Sequence, residues 1–129
     1  MKRILIVKDS LLQGKIVSDS LIDHGFEINL AVTGEDAIQK ITTNAFDLIL
    51  TDKVLSDISG VHLIKKIKQL PNTADLFIIV LSGVTDKENV IESLGMGIHD
   101  YLAKPYHAKE LMNRINIHLN NLSFLISIE

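Results

Sequence analysis

The side chains of this chain that can do chemistry stand at the ends of apolar runs. The clearest is Phe46-Asp47-Leu48-Ile49-Leu50-Thr51-Asp52, which stops on a carboxylate and then turns through Lys53-Val54-Leu55-Ser56-Asp57-Ile58-Ser59 to Gly60. A Leu/Ile-rich run without polar alternation reads as a strand buried on both faces, hence the middle of a parallel sheet. Ligand sites in open α/β sheets lie outside the carboxyl ends of the strands, which is where Asp52 falls. Three more runs end in the same way: Arg3–Val7 on Lys8-Asp9, residues 76–81 on Ser82-Gly83, and residues 99–103 on Lys104-Pro105. In a parallel sheet these ends converge. Taken singly, each has a plainer reading: Asp52 and Ser82 as turn or cap residues, Lys104-Pro105 as a strand-to-turn pair, Tyr101 as core.

The elements that must position these groups follow from spacing. Ser10 caps a helix over 11–24, in which Leu12, Ile16, Val17, Leu21 and Ile22 recur at helical intervals and Gly25 serves as the C′ residue. Gly14 weakens that helix by about 1 kcal/mol relative to alanine. Residues 26–32 read as a second strand, and Thr33-Gly34-Glu35 opens a helix that Asn44 closes. Val61, Leu63, Ile64, Ile67 and Leu70 mark a third helix stopped by Pro71. A polar fourth helix covers 86–94 and an amphipathic fifth covers 107–119. Five β-α units in strict alternation predict an α/β fold, a doubly wound five-stranded parallel sheet with right-handed crossovers and no internal linker. Residues 121–129 are apolar for a terminus, with Phe124, Ile126 and Ile128 alternating, and read as a helix extension, a packed tail or the start of a linker.

Composition removes several classes. At 129 residues the chain is one ordinary domain, and with no cysteine it has neither a disulfide framework nor a thiolate metal site. The apolar run after Met1-Lys2-Arg3 ends at Lys8, too early for a signal peptide, so a cytoplasmic location is expected. A net charge of −3 without a Lys/Arg cluster argues against direct nucleic-acid binding, and Lys65-Lys66 with Lys68 read as a solvated helix face. No stretch reaches the roughly 18 apolar residues of a membrane span. Neither a Walker A sequence, nor Gly-x-Gly-x-x-Gly, nor Asp-x-Asp at the first strand end is present, so the phosphate cradle of a nucleotide enzyme or metal-dependent phosphatase is missing. The five histidines include no His-x-x-x-His pair, and His62, His99 and His107 are expected at surfaces or helix starts.

Asp9-Ser10 after Ile4-Leu5-Ile6-Val7, Asp47 to Asp52 with Gly60 beyond it, Leu81-Ser82-Gly83, and Asp100-Tyr101-Leu102-Ala103-Lys104-Pro105-Tyr106 together resemble the receiver domain of two-component response regulators. The resemblance covers residues 1–120, leaving 121–129 as tail or linker. It implies a flavodoxin-like strand order of chemotaxis-regulator type, in a bacterial phosphorelay. It also implies a phosphoprotein whose aspartate takes a phosphoryl group from a sensor histidine kinase or phosphotransfer protein. Asp52 matches the acceptor. Asp9, Asp52 and the Val54 carbonyl would hold Mg²⁺, Lys104 would pair with the phosphoryl group, and Ser82 would hydrogen-bond it. Ser82 and Tyr101 match the switch pair. The face of the fourth helix, fifth strand and fifth helix would dock a downstream protein, an effector domain or a second copy, with Lys87, Glu88, Tyr101, Tyr106 and Lys109 contributing. Such a chain modifies itself and is not an ordinary enzyme.

The pattern departs from the family at Lys8, where an acid usually precedes Asp9. With a lysine there, repulsion of a dication at ~6 Å and an effective dielectric of ~20 is about 5 kcal/mol, reduced if the ammonium snorkels to water. Weakened Mg²⁺ binding is the expectation; the opposite one is that Lys8 supplies part of the metal's charge. An alternative reading is a pseudo-receiver, an interaction module in which Lys8 impairs metal binding. Ser56 and Ser59 replace the usual proline and acid of the loop. Val54 and Val84 flank the path of an attacking water without offering it a hydrogen bond, so slow hydrolysis is expected.

Overall fold

The computed structural model describes the backbone of residues 2–83 and 97–128, and side chains through residue 119. In chain order these are β1 (Arg3–Val7), α1 (Leu11–Ile22), β2 (Glu27–Ala31), α2 (Gly34–Thr43), β3 (Leu48–Asp52), α3 (Gly60–Lys68), β4 (Phe77–Ser82), β5 (Asp100–Ala103) and α4 (Ala108–Ile128). The helix expected over 86–94, with Val84, Lys87 and Glu88, lies outside the described residues. Helix α4 is the one expected over 107–119, and it runs on through the tail to Ile128.

The five strands pair in the order β2-β1-β3-β4-β5, every pair parallel, which is the doubly wound flavodoxin-like arrangement. β1, β3 and β4 are buried along nearly their whole length, as their uninterrupted apolar runs require of strands covered on both faces. Alternate residues serve opposite layers. Leu5, Val7, Ile49, Ile78 and Val80 pack with Ala37 of α2 and Leu63, Ile64 and Ile67 of α3. Ile4, Ile6, Leu48, Leu50, Ile79 and Leu81 pack with Val17 and Leu21 of α1 and Leu111 and Ile115 of α4. Each fully buried side chain of this kind contributes about 1.5–3 kcal/mol, so the strand register is set firmly by two cores at once.

Helix α1 departs from the sequence reading. Gly14, Val17, Ser18 and Leu21 face the sheet, while Leu12, Ile16 and Ile22 are exposed, Leu12 to 70%. The same i, i+4 spacing fits two arcs of the helix, and Gly14 over the Leu30 side chain favours the arc that brings the backbone closest to the sheet. Ser10 accepts from the Gln13 N–H at the helix start, and Gly25, at φ +85°, follows its end.

Candidate functional site

The chain leaves β1 for β2 on one side and for β3 on the other, so the crevice between the carboxyl ends of β1 and β3 is the switch point of the sheet. Asp52 is the last residue of β3 and only 5% exposed. Lys8 follows β1, its N–H bonded to the Ala31 carbonyl at 3.0 Å, and is 4% exposed. Its Nζ reaches Asp52 Oδ1 at 3.1 Å. Lys104 follows β5, its N–H bonded to the Ser82 carbonyl at 2.7 Å, and its Nζ lies 2.8 Å from the same Oδ1. Ser82 closes β4 between them and is buried. Four strand ends therefore deliver a carboxylate, two ammonium groups and a hydroxyl to one rim, and both ion pairs converge on a single oxygen.

That convergence decides how the site treats a dication. Lys8 does not snorkel to water; its ammonium stays inside the crevice. Asp9 is exposed, and Val54 sits in an isolated bridge opposite Ser59 with its side chain in solvent. Among the described residues no group of three or more His, Asp or Glu side chains is arranged to hold a metal ion. Asp9, Asp52 and the Val54 carbonyl in this arrangement do not fit Mg²⁺, because a fixed positive charge already occupies the carboxylate oxygen that would ligate it. At ~5 Å and an effective dielectric of ~20 the repulsion between Lys8 and a dication is about 7 kcal/mol before relaxation.

The loop after Asp52 is tied at both ends of its turn. Ser59 accepts from the His62 N–H at 3.1 Å and caps α3. Asp57, which the sequence reading did not single out, accepts from the Gly34 and Glu35 N–H groups at 2.9 and 3.0 Å, at the first turn of α2. These two donors lower the Asp57 carboxyl below its ordinary pKa. The available signal was Thr33-Gly34-Glu35 itself: a helix start has N–H groups to satisfy, and Thr33 takes only the Asp36 N–H. Gly60 is required by close approach, since a Cβ there would stand 2.6 Å from the Asp52 carbonyl oxygen.

Tyr101 is half-buried and its hydroxyl donates to the Gly83 carbonyl at 3.3 Å. Tyr106, expected on the docking face, lines a cavity of about 380 Å³ with Lys8, Gln13, Ile16, Val17, Lys104 and Pro105. Burial, and secondarily the Asp52 charge, raise its hydroxyl pKa. The Lys104-Pro105 peptide is cis. Lys109, His62, His99 and His107 are exposed, although the His99 Nδ1 accepts the Ile78 N–H at 3.0 Å.

Residues 4–116 match the family model of the response regulator receiver domain. Chemotaxis protein CheY of Bacillus subtilis is 32% identical over 119 residues, covering 92% of this chain and 98% of its own. The transcriptional regulatory protein DltR of Streptococcus agalactiae is 32% identical over 124 residues, but this chain spans only about half of it, 54%. Among solved structures, a CheY-like receiver domain protein of Methanospirillum hungatei superposes with a TM-score of 0.86 at 30% identity, covering 94% of this chain and 95% of that one. The chain belongs to the response regulator receiver domain family, modules of two-component signalling.

Proposed function

We propose that this receiver accepts a phosphoryl group on Asp52 from a histidine kinase or phosphotransfer protein, and that the group is held by Lys104 and Ser82. The observation that carries this is the placement of a buried carboxylate at the switch point with the Lys104 ammonium 2.8 Å away and Ser82 on the neighbouring strand end. The carboxylate supplies the nucleophile, and the ammonium and hydroxyl stabilise charge on the transferring oxygens. Ser82 and Tyr101 form the switch: a hydroxyl drawn onto a phosphoryl oxygen moves the backbone around Gly83, to which the Tyr101 hydroxyl is bonded. The chain turns over no external substrate. It works in the cytoplasm, and among the described residues no helix is long and apolar enough to cross a membrane. Its output passes through Tyr101, Lys109 and the surrounding face to a downstream protein, an effector domain or a second copy. Mg²⁺ is given no part in this reading at Asp9 and Asp52, because the Lys8 ammonium already sits on the Asp52 oxygen.

A second reading, the pseudo-receiver, draws on the same Lys8 contact: a carboxylate clamped by two ammonium groups is held in one charge state and left for partners to recognise. Intact mass after incubation with acetyl phosphate and Mg²⁺ separates the two. The phosphoacceptor gains one phosphoryl mass that Asp52→Asn abolishes. A wild-type chain that never gains it is a pseudo-receiver, and a gain that survives in Asp52→Asn removes Asp52 from its role.

A further inference from the structure

We infer that the Lys8 ammonium is the resident cation of this site, so that the pocket binds a phosphoryl-type oxyanion, and Asp52 accepts a phosphoryl group, without a divalent ion. This rests on the phosphoacceptor reading of Asp52 and assigns the charge that operates it.

Three observations converge. Lys8 has a flexible stem that would reach water at little cost, yet it is 4% exposed and lies 3.1 Å from Asp52 Oδ1. Lys104 arrives at the same oxygen at 2.8 Å from another strand end, so both ammonium groups are within reach of a group attached to that carboxylate. The same two lysines line, with Tyr106, a cavity of about 380 Å³, so each borders open space as well as the carboxylate.

The charge count favours the same conclusion. One carboxylate with two ammonium groups leaves the inner pocket one positive charge in excess, the sign that attracts an oxyanion. After transfer the acyl phosphate dianion meets two positive charges and the pocket is neutral. Adding a dication as well would leave a surplus of two. The step balances without a metal: an Asp52 oxygen forms a bond to phosphorus, the bond from phosphorus to the acetyl oxygen of acetyl phosphate breaks, and acetate leaves with the electron pair. No proton moves and nothing is oxidised. Lys8 and Lys104 each carry three N–H donors to the three equatorial oxygens, the charge stabilisation otherwise supplied by the ion.

The test compares labelling by acetyl phosphate in excess EDTA and in Mg²⁺, read by intact mass, for wild type, Asp52→Asn, Lys8→Met and Lys8→Asp, with circular dichroism to certify folding. Wild type is expected to label equally in both. Lys8→Met, close in shape but uncharged, should lose labelling in EDTA by about a hundredfold, the effect of removing one charge-stabilising donor. Lys8→Asp should label only with Mg²⁺. Wild-type labelling that needs Mg²⁺ overturns the inference and leaves Asp52 as acceptor. Lys8→Met labelling like wild type in EDTA overturns it as well. Wild type unlabelled under both conditions, or labelling that persists in Asp52→Asn, overturns the phosphoacceptor reading itself. Beryllium fluoride titrated in EDTA and followed by amide NMR shifts gives a second readout: no shift around Asp52, Lys8 and Lys104 in wild type counts against the oxyanion site.

Discussion

Asp52 and Asp100 each face two basic side chains, at opposite rims of one sheet. At Asp100 both partners come from one helix: Arg114 Nη1 reaches Oδ1 and Oδ2 at 3.1 and 3.3 Å, and His118 Nε2 lies 3.0 Å from Oδ2. The Tyr101 N–H adds a bond to Oδ1 at 2.8 Å. Both oxygens are engaged, and the two partners are four residues apart on α4, so this acid fastens a helix to the edge strand β5. At Asp52 the cations come from two strand ends, sit on one oxygen, and open onto a cavity. A carboxylate saturated from one element is a rivet; one loaded on a single side from separate elements remains able to react.

The comparison can be broken at two points. Gly60→Ala pushes a Cβ against the Asp52 carbonyl and the Lys53 backbone, which cannot yield as a side-chain tip would. It should cost about 3 kcal/mol in urea unfolding and also depress Asp52 labelling, because it shifts the acceptor strand end. Asp100→Ala should cost about 2 kcal/mol, less than a fully buried pair because Arg114 is partly exposed, and leave acetyl phosphate labelling of Asp52 unchanged. A labelling defect there would mean that the two rims are coupled.

The smallest effect is on pH. His99 packs edge-on against Phe77 at 4.9 Å, close to His118. Partial desolvation of its ring first, on the side packed against Phe77, then Lys68 and His118, hold its pKa below the ordinary 6.5. The sign follows: above 6.5 His99 is neutral folded or unfolded, while below it the unfolded chain takes up the proton first, so stability falls as pH drops from 6.5 through the lowered folded value. A protonated Nδ1 would also lose the Ile78 N–H bond. His99→Gln should flatten this part of the stability profile measured by thermal unfolding. Independently, Val54→Asn should shorten the lifetime of phosphoryl-Asp52, since Val54 is 73% exposed beside the acceptor and offers water no hydrogen bond.

Much of the fold was readable from local pattern. The runs ending at Val7, Asp52 and Ser82 announced three interior strands because burial on both faces suppresses polar alternation, and the structure differs mainly by a residue or two at element ends. Edge strands were recognisable only by their place in the alternation, since Glu27–Ala31 and Asp100–Ala103 are part-exposed. The inward arc of α1 was not readable, because helical spacing alone fits both arcs. Asp57 was missed because its donors come from α2, more than twenty residues earlier.

Residue order alone was enough to place Lys8, Asp52, Ser82 and Lys104 at strand ends, since strand periodicity and turn chemistry are local. Where the Lys8 ammonium goes was a matter for the assembled sheet. A lysine stem reaches water or crevice equally well, and only the packing of β1 between β2 and β3, with Asp52 at the next strand end, turns it inward.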